Sequence, residues 1–201
     1  MEKRDILGCL SLKELLHGAG NQLRYVVRYS ISRRHHQESV AEHMFYTAFF
    51  TLMIAEHLPP GSVNVGAAVR RALIHDVEES GTGDIIRPIK NKVREEVEAV
   101  GDLVAGEFFD KITSDKGVSS RLYVGWKQAK DETPEGCVVA FADFLSVLSY
   151  LHQEIQSGNR LIMGTVTELV SYSQKFDHPK YDLLRPLVEE AQGMVRELGS
   201  S

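Results

Sequence analysis

The apolar run Ala72-Leu73-Ile74 ends in the doublet His75-Asp76, followed by Val77-Glu78-Glu79-Ser80-Gly81-Thr82-Gly83-Asp84. Histidine supplies a neutral imidazole nitrogen and aspartate a hard oxygen. As sequence neighbours they can point into one pocket and hold a divalent cation. Two further residues can join them. Asp143 stands in Phe141-Ala142-Asp143-Phe144-Leu145, where an unpaired carboxylate would be costly. It must be paired with an arginine or a helix end, neutralised, or bound to a metal. His43 falls in a half-apolar segment, where a lone histidine is a satisfied core residue or a ligand. Taken together, His43, His75, Asp76 and Asp143 form a mixed nitrogen and oxygen donor set suited to zinc or a transition metal. Such a set leaves positions for water and a substrate oxygen, so that the ion can acidify the water and polarise a phosphoryl group.

These residues need helices to carry them. Ser39-Val40-Ala41-Glu42 has the pattern of a capping box, which predicts a helix from there to about His57, stopped by Pro59-Pro60-Gly61. Asn64 can cap a second helix with Val65, Ala68, Ala72 and Asp76 on one stripe, ending before Gly81-Thr82-Gly83. Residues 91–112 read as a charged helix with Lys92, Glu95, Glu96 and Glu98 on a solvated face, and residues 113–120 as a loop. Thr133-Pro134-Glu135 opens a helix that is apolar on nearly every side and therefore central. Ser157-Gly158-Asn159 ends it. Two more helices are expected over about 161–176 and 180–198. The best strand candidate, Tyr25-Val26-Val27, is short and has polar flanks. The fold class expected is all-α, one domain over residues 1–201.

Bulk properties narrow the partners. A net charge of −5 argues against a nucleic-acid polymer, whose binder would be basic, but allows a small anion in a local basic pocket. Cys9 and Cys137 form no CxxC pair, which fits a reducing, cytoplasmic setting and argues against a disulfide framework and a thiolate zinc site. The charged start Met1-Glu2-Lys3-Arg4-Asp5 has no apolar signal core, and no apolar stretch reads as a membrane span.

The chain resembles the HD-domain metal-dependent phosphohydrolases. Within them it is most similar to the bacterial 5'-deoxynucleotidases of the YfbR type and the related small phage dATP triphosphohydrolases. The resemblance rests on Glu38-Ser39-Val40-Ala41-Glu42-His43, on the run from His75 to Asp84, on Pro88-Ile89-Lys90 and on Ala142-Asp143. It implies an all-helical HD bundle and a homo-oligomer, dimer or larger. It assigns His43, His75, Asp76 and Asp143 as ligands of a divalent ion (Co, Mn, Zn, Fe or Ni), with Mg possible as a second ion. Glu79 and Asp84 become the acidic pair that orients water and handles protons. Arg28, fifteen residues before His43, and Lys90, in the Pro-x-Lys that includes Pro88, become phosphate contacts. Arg24 competes with Arg28, because Arg24-Tyr25 repeats Arg28-Tyr29. Ile31 takes the place of an apolar residue against the base.

One departure falls in this pocket. The family commonly carries Trp after the substrate arginine, near the sugar, and here the residue is Tyr29. Tyrosine could crowd out a 2'-hydroxyl or could accept a ribose contact. Glu78 reads as a solvated helix end. The basic run Arg33-Arg34-His35-His36 reads as a solvated loop or as a clamp for a longer phosphate tail. The expected activity is hydrolysis of deoxynucleoside 5'-monophosphates. Alternatives are a dNTP triphosphohydrolase, a non-catalytic nucleotide-sensing module and a phosphodiesterase acting on a signalling nucleotide.

Overall fold

Five α-helices begin at a side-chain cap that the sequence spells out: Ser11, Ser39, Asn64, Asp115 and Thr133 each accept an amide two or three residues on. The computed structural model describes residues 9–200, with the side chains of Arg87, Pro88 and Asn91 outside the description. In chain order the helices are α1 (Leu12–His17), α2 (Ala19–Gln22), α3 (Val40–His57), α4 (Val65–Ala72), α5 (Glu79–Thr82) and α6 (Arg87–Lys92). They continue as α7 (Arg94–Ile112), α8 (Lys116–Lys127), α9 (Pro134–Gln156), α10 (Met163–Ser173) and α11 (Arg185–Ser200). Short 3-10 turns at Arg160–Ile162, Gln174–Asp177 and Pro179–Leu184 flank α10. Among the described residues there is no strand; Val27 makes only an isolated bridge to Ser39.

Helix α9 is the axis. Val138, Val139, Phe141, Phe144, Val147, Leu148 and Leu151 are all buried, so most of its circumference is covered by neighbours. Phe141 and Phe144 pack on Phe176 with ring centroids 5.4 and 5.0 Å away. α9 is long and apolar enough to cross a membrane, but most of it is buried inside the fold by α3, α4 and the C-terminal helices. A second core joins Met44 of α3 to Ala105, Phe108 and Phe109 of α7 and to Val77. Phe45, Tyr46, Phe49 and Met53 are left exposed on α3, an apolar surface of the kind that associates.

The capping box is complete: Ser39 Oγ accepts the Glu42 amide, and Glu42 accepts from the Ser39 amide at 2.7 Å. Three elements differ from expectation. The helix begun at Asn64 does not run on to Ser80. It ends at Ala72 and gives way to a run of tight turns, Ile74 to Arg71, Val77 to Ile74 and Glu79 to Asp76. The reason is local: His75 Nδ1 bonds the Ala72 carbonyl at 2.7 Å, satisfying a group the next helical amide would have used. The charged segment expected over 91–112 is broken at Val93 (φ −128°, ψ 49°) into α6 and α7. The loop expected over 113–120 is largely helix. Asp115 caps α8 through the amides of Gly117 and Val118, and Leu122, Tyr123 and Trp126 dock on the second core.

Candidate active site

The end of α4, the first turns of α3 and the middle of α9 meet at one point. His43 Nε2 lies 3.3 Å from His75 Nε2, 3.0 Å from Asp143 Oδ1 and 3.6 Å from Asp76 Oδ2. His75 Nε2 lies 3.0 Å from Asp76 Oδ2. The ring nitrogens turned away from the centre are engaged: His75 Nδ1 with the Ala72 carbonyl, His43 Nδ1 with Ser146 Oγ at 3.0 Å. A carbonyl only accepts, so His75 Nδ1 carries a proton and Nε2 is the nitrogen that faces the cluster. Burial, with Arg28 nearby, holds His43 neutral by lowering its pKa to about 3. Burial would raise Asp143, but Lys130 and His43 outweigh it and hold the carboxylate ionised. Asp76 is likewise kept ionised, by His75 and Lys130. Two imidazole nitrogens and ionised oxygens aimed at one point are a donor set for a divalent cation. His43, His75 and Asp143 each place a ligand atom within 4.8 Å of the others.

Beside this cluster lies a cleft of about 230 Å³, lined among others by Arg28, Tyr29, Ile31, Asp76, Glu79, Asp84, Lys90, Lys130 and Asp143. Glu79 is buried; its Oε1 takes Lys90 Nζ at 2.7 Å and its Oε2 is buried without a partner among the described residues. Burial, then the Asp76 charge, pushes Glu79 up to about 8. Gly83, at φ 70°, ends α5 with its amide on the Glu79 carbonyl and turns the chain so that Asp84 enters the cleft. Asp84 Oδ2 accepts the Tyr29 amide at 2.9 Å. That bond helps hold Tyr29 at φ 55°, a left-handed conformation uncommon outside glycine. The Tyr29 ring stacks on Tyr150, 4.7 Å away and tilted by 1°.

The profile of the HD domain family matches residues 20–177. The chain belongs to the HD-domain family. A zebrafish (Danio rerio) relative, 5'-deoxynucleotidase HDDC2, is 29% identical over 161 residues, covering 76% of this chain and 74% of that protein. Among solved structures, a conserved hypothetical protein from Pyrococcus furiosus superposes with a TM-score of 0.72 at 23% identity, covering 90% of this chain and 99% of the other. An HD-domain phosphohydrolase from Listeria innocua does so with a TM-score of 0.70 at 22% identity, covering 92% and 90%. These structural likenesses bear on the fold, which is the all-helical HD bundle expected.

This HD domain therefore brings His43, His75, Asp76, Asp143, Glu79, Asp84, Arg28, Tyr29, Ile31 and Lys90 to one cleft and its metal-type cluster. The Pro88 side chain lies outside the described residues. Arg24 is exposed and borders a shallow groove with Phe45 and Tyr46 elsewhere, so Arg28 alone of the pair reaches the cleft. Glu78 is not a solvated helix end: Trp126 Nε1 donates to its Oε2 at 2.7 Å. The basic run does not reach the cleft either. The amides of His35 and His36 bond the buried Glu154 carboxylate at 2.8 and 2.6 Å, and Arg34 bonds the Tyr29 carbonyl at 3.0 Å.

Two contributors escaped the sequence reading. Lys130 Nζ lies 2.8 Å from Asp143 Oδ2 and 3.8 Å from Asp76 Oδ1, on the turn before α9. Its surroundings, Ala129-Lys130-Asp131-Glu132, carry no spacing signal that separates it from surface charge. Glu38 holds Arg28 through a 2.6 Å ion pair in which both side chains are largely buried. Its place directly before the capping box, beside the first ligand helix, was the available hint.

Proposed function

We propose that this HD domain is a metal-dependent phosphohydrolase that converts deoxynucleoside 5'-monophosphates to deoxynucleoside and phosphate. The observation that carries this is the convergence of the His43/His75/Asp76/Asp143 donor set with the carboxyls of Glu79 and Asp84 and the cations Arg28, Lys90 and Lys130. The likeness to a 5'-deoxynucleotidase supports the substrate class. A divalent ion held by the two histidines and two aspartates would polarise a phosphoryl oxygen and acidify a water. Arg28, fixed by Glu38, offers a planar fork to the phosphate, and Lys90 a point charge. Asp84 spends Oδ2 on Tyr29, which leaves Oδ1 to orient the attacking water. As water adds to phosphorus its proton passes to Asp84 Oδ1, the P–O5' bond breaks, and the proton of neutral Glu79 passes to the departing O5'.

The Tyr29 hydroxyl is buried and without a hydrogen-bond partner among the described residues. That supports a ring that crowds the sugar over one that accepts a ribose hydroxyl. The engagement of the Arg33–His36 run with Glu154 and Tyr29 removes the reason to favour a triphosphate.

The test is incubation with dAMP and with dATP in the presence of Mn²⁺ or Co²⁺, identifying the released ion. Orthophosphate from dAMP is expected; triphosphate from dATP would replace this reading with the alternative, and no hydrolysis of either would remove it.

A pH profile follows from Glu79. Its pKa is raised, so the proton is present below about pH 8 and is lost above it. A donor that must be protonated gives a rate that falls roughly tenfold per pH unit on the alkaline side. Glu79→Gln should lower kcat and abolish that limb. A wild-type profile flat between pH 7 and 10 would contradict the donor role.

A further inference from the structure

The cleft is lined by two chemically distinct groups of residues. At the floor, beside the cluster, are its aspartates Asp76 and Asp143, the acidic pair and the cations Arg28, Lys90 and Lys130. The other group comes from a face of α10, from which Thr165, Glu168 and Leu169 line the space, together with Val147 of α9 and Ile31. Ile31 is 73% exposed and Glu168 is exposed, which places both at the mouth; Val147 and Leu169 are buried and form the wall below. Helix α10 contributes none of the groups at the floor.

We infer that Glu168 reads the base of the bound nucleotide and makes the site favour guanine. This rests on the proposed nucleotidase reading and names the substrate within it. A phosphate drawn to the cations on the floor directs the nucleoside outward, so the base arrives at Ile31, Val147 and Leu169. Their apolar surfaces suit the flat faces of a base. A carboxylate at the mouth would repel a phosphate, so its partner is a hydrogen-bond donor, and it can only accept. Guanine presents two donors side by side, N1–H and the 2-amino group, which match the two oxygens of a carboxylate. Adenine and cytosine each present one amino group next to a ring nitrogen that is itself an acceptor. Thymine presents one N–H between two carbonyls, which face a carboxylate unfavourably. The hydroxyl of Thr165, one turn before Leu169 on the same face, can donate to the guanine O6. Sites that hydrogen-bond a substrate group discriminate strongly against analogues lacking it, because their own polar groups are then left unpaired.

The experiment measures kcat/KM for dGMP, dIMP, dAMP, dCMP and dTMP with the wild-type metal-loaded protein, Glu168→Gln and Glu168→Ala. dIMP keeps N1–H and lacks the 2-amino group. The wild type should prefer dGMP over dTMP by about tenfold or more, with dIMP between them. Glu168→Ala should collapse both the dGMP/dTMP and the dGMP/dIMP ratios to within about threefold, and Glu168→Gln, which keeps one acceptor, should fall between. Hydrolysis of all five at similar rates, or a guanine preference that survives in Glu168→Ala, overturns this inference and leaves the nucleotidase reading standing. Hydrolysis of none overturns both.

Discussion

Replacing His75 by alanine is expected to remove the metal and reduce hydrolysis to that of the chelated protein. Its Nε2 stands 3.3 Å from His43 Nε2 and 3.0 Å from Asp76 Oδ2, at the centre of the donor set. Among the described residues no other imidazole stands in the cluster to take its place, and His43 is already engaged with Asp143 and Ser146. A milder change calibrates the expectation. Ser146→Ala removes only the hydroxyl that orients His43, and loss of such an outer partner typically costs about 10–100-fold in metal affinity or activity. The His75→Ala loss should exceed it. Metal content after dialysis, titration calorimetry with Mn²⁺ and turnover measure the two variants together. His75 also satisfies the Ala72 carbonyl, so circular dichroism must show that the helices persist. Full metal content and turnover in folded His75→Ala would sink the assignment of the cluster.

The parts of this site that were legible in the sequence are those fixed by local chemistry. Ser39, Asn64 and Thr133 cap helices because their side chains reach amides three residues on, and that reach depends on nothing distant. The wholly apolar character of α9 marked it as the axis, and an aspartate within it stood out for the same reason. What stayed hidden depends on tertiary placement. The end of α4 at Ala72 is set by one side chain bonding one carbonyl, within a segment whose apolar stripe would have continued the helix. α8 begins in Lys116-Gly117-Val118-Ser119-Ser120, a composition that reads as loop, and is held by Trp126 and its neighbours docking on the second core. Lys130 joins Asp143 only because the turn after α8 folds back over the ligands. The role of Arg33–His36 was open because Glu154, more than a hundred residues away, closes it. Residue type and motif order picked out the candidate ligands; charge balance around them required coordinates.

Asp84→Asn should abolish turnover while leaving the metal in place. Asp84 is not in the donor cluster, so the ion's affinity should not depend on it, whereas the water's orientation should. Loss of a general base typically lowers kcat by about 10²–10⁴-fold. Asparagine is the informative replacement because of the second task this side chain performs. Asp84 accepts the Tyr29 amide, and that bond helps keep Tyr29 at φ 55°, a conformation that costs on the order of 1–3 kcal/mol and persists only when its surroundings enforce it. The asparagine oxygen can still accept that amide, so the turn and the stack on Tyr150 should survive while the ionised oxygen is gone. Alanine removes both, and should add a loss of substrate affinity as the Tyr29 turn relaxes. A kcat defect shared by both variants, with KM raised further in Asp84→Ala, separates proton chemistry from positioning. A non-catalytic nucleotide-sensing module would show the opposite pattern: nucleotide binding retained in Asp84→Asn and no turnover in the wild type to lose.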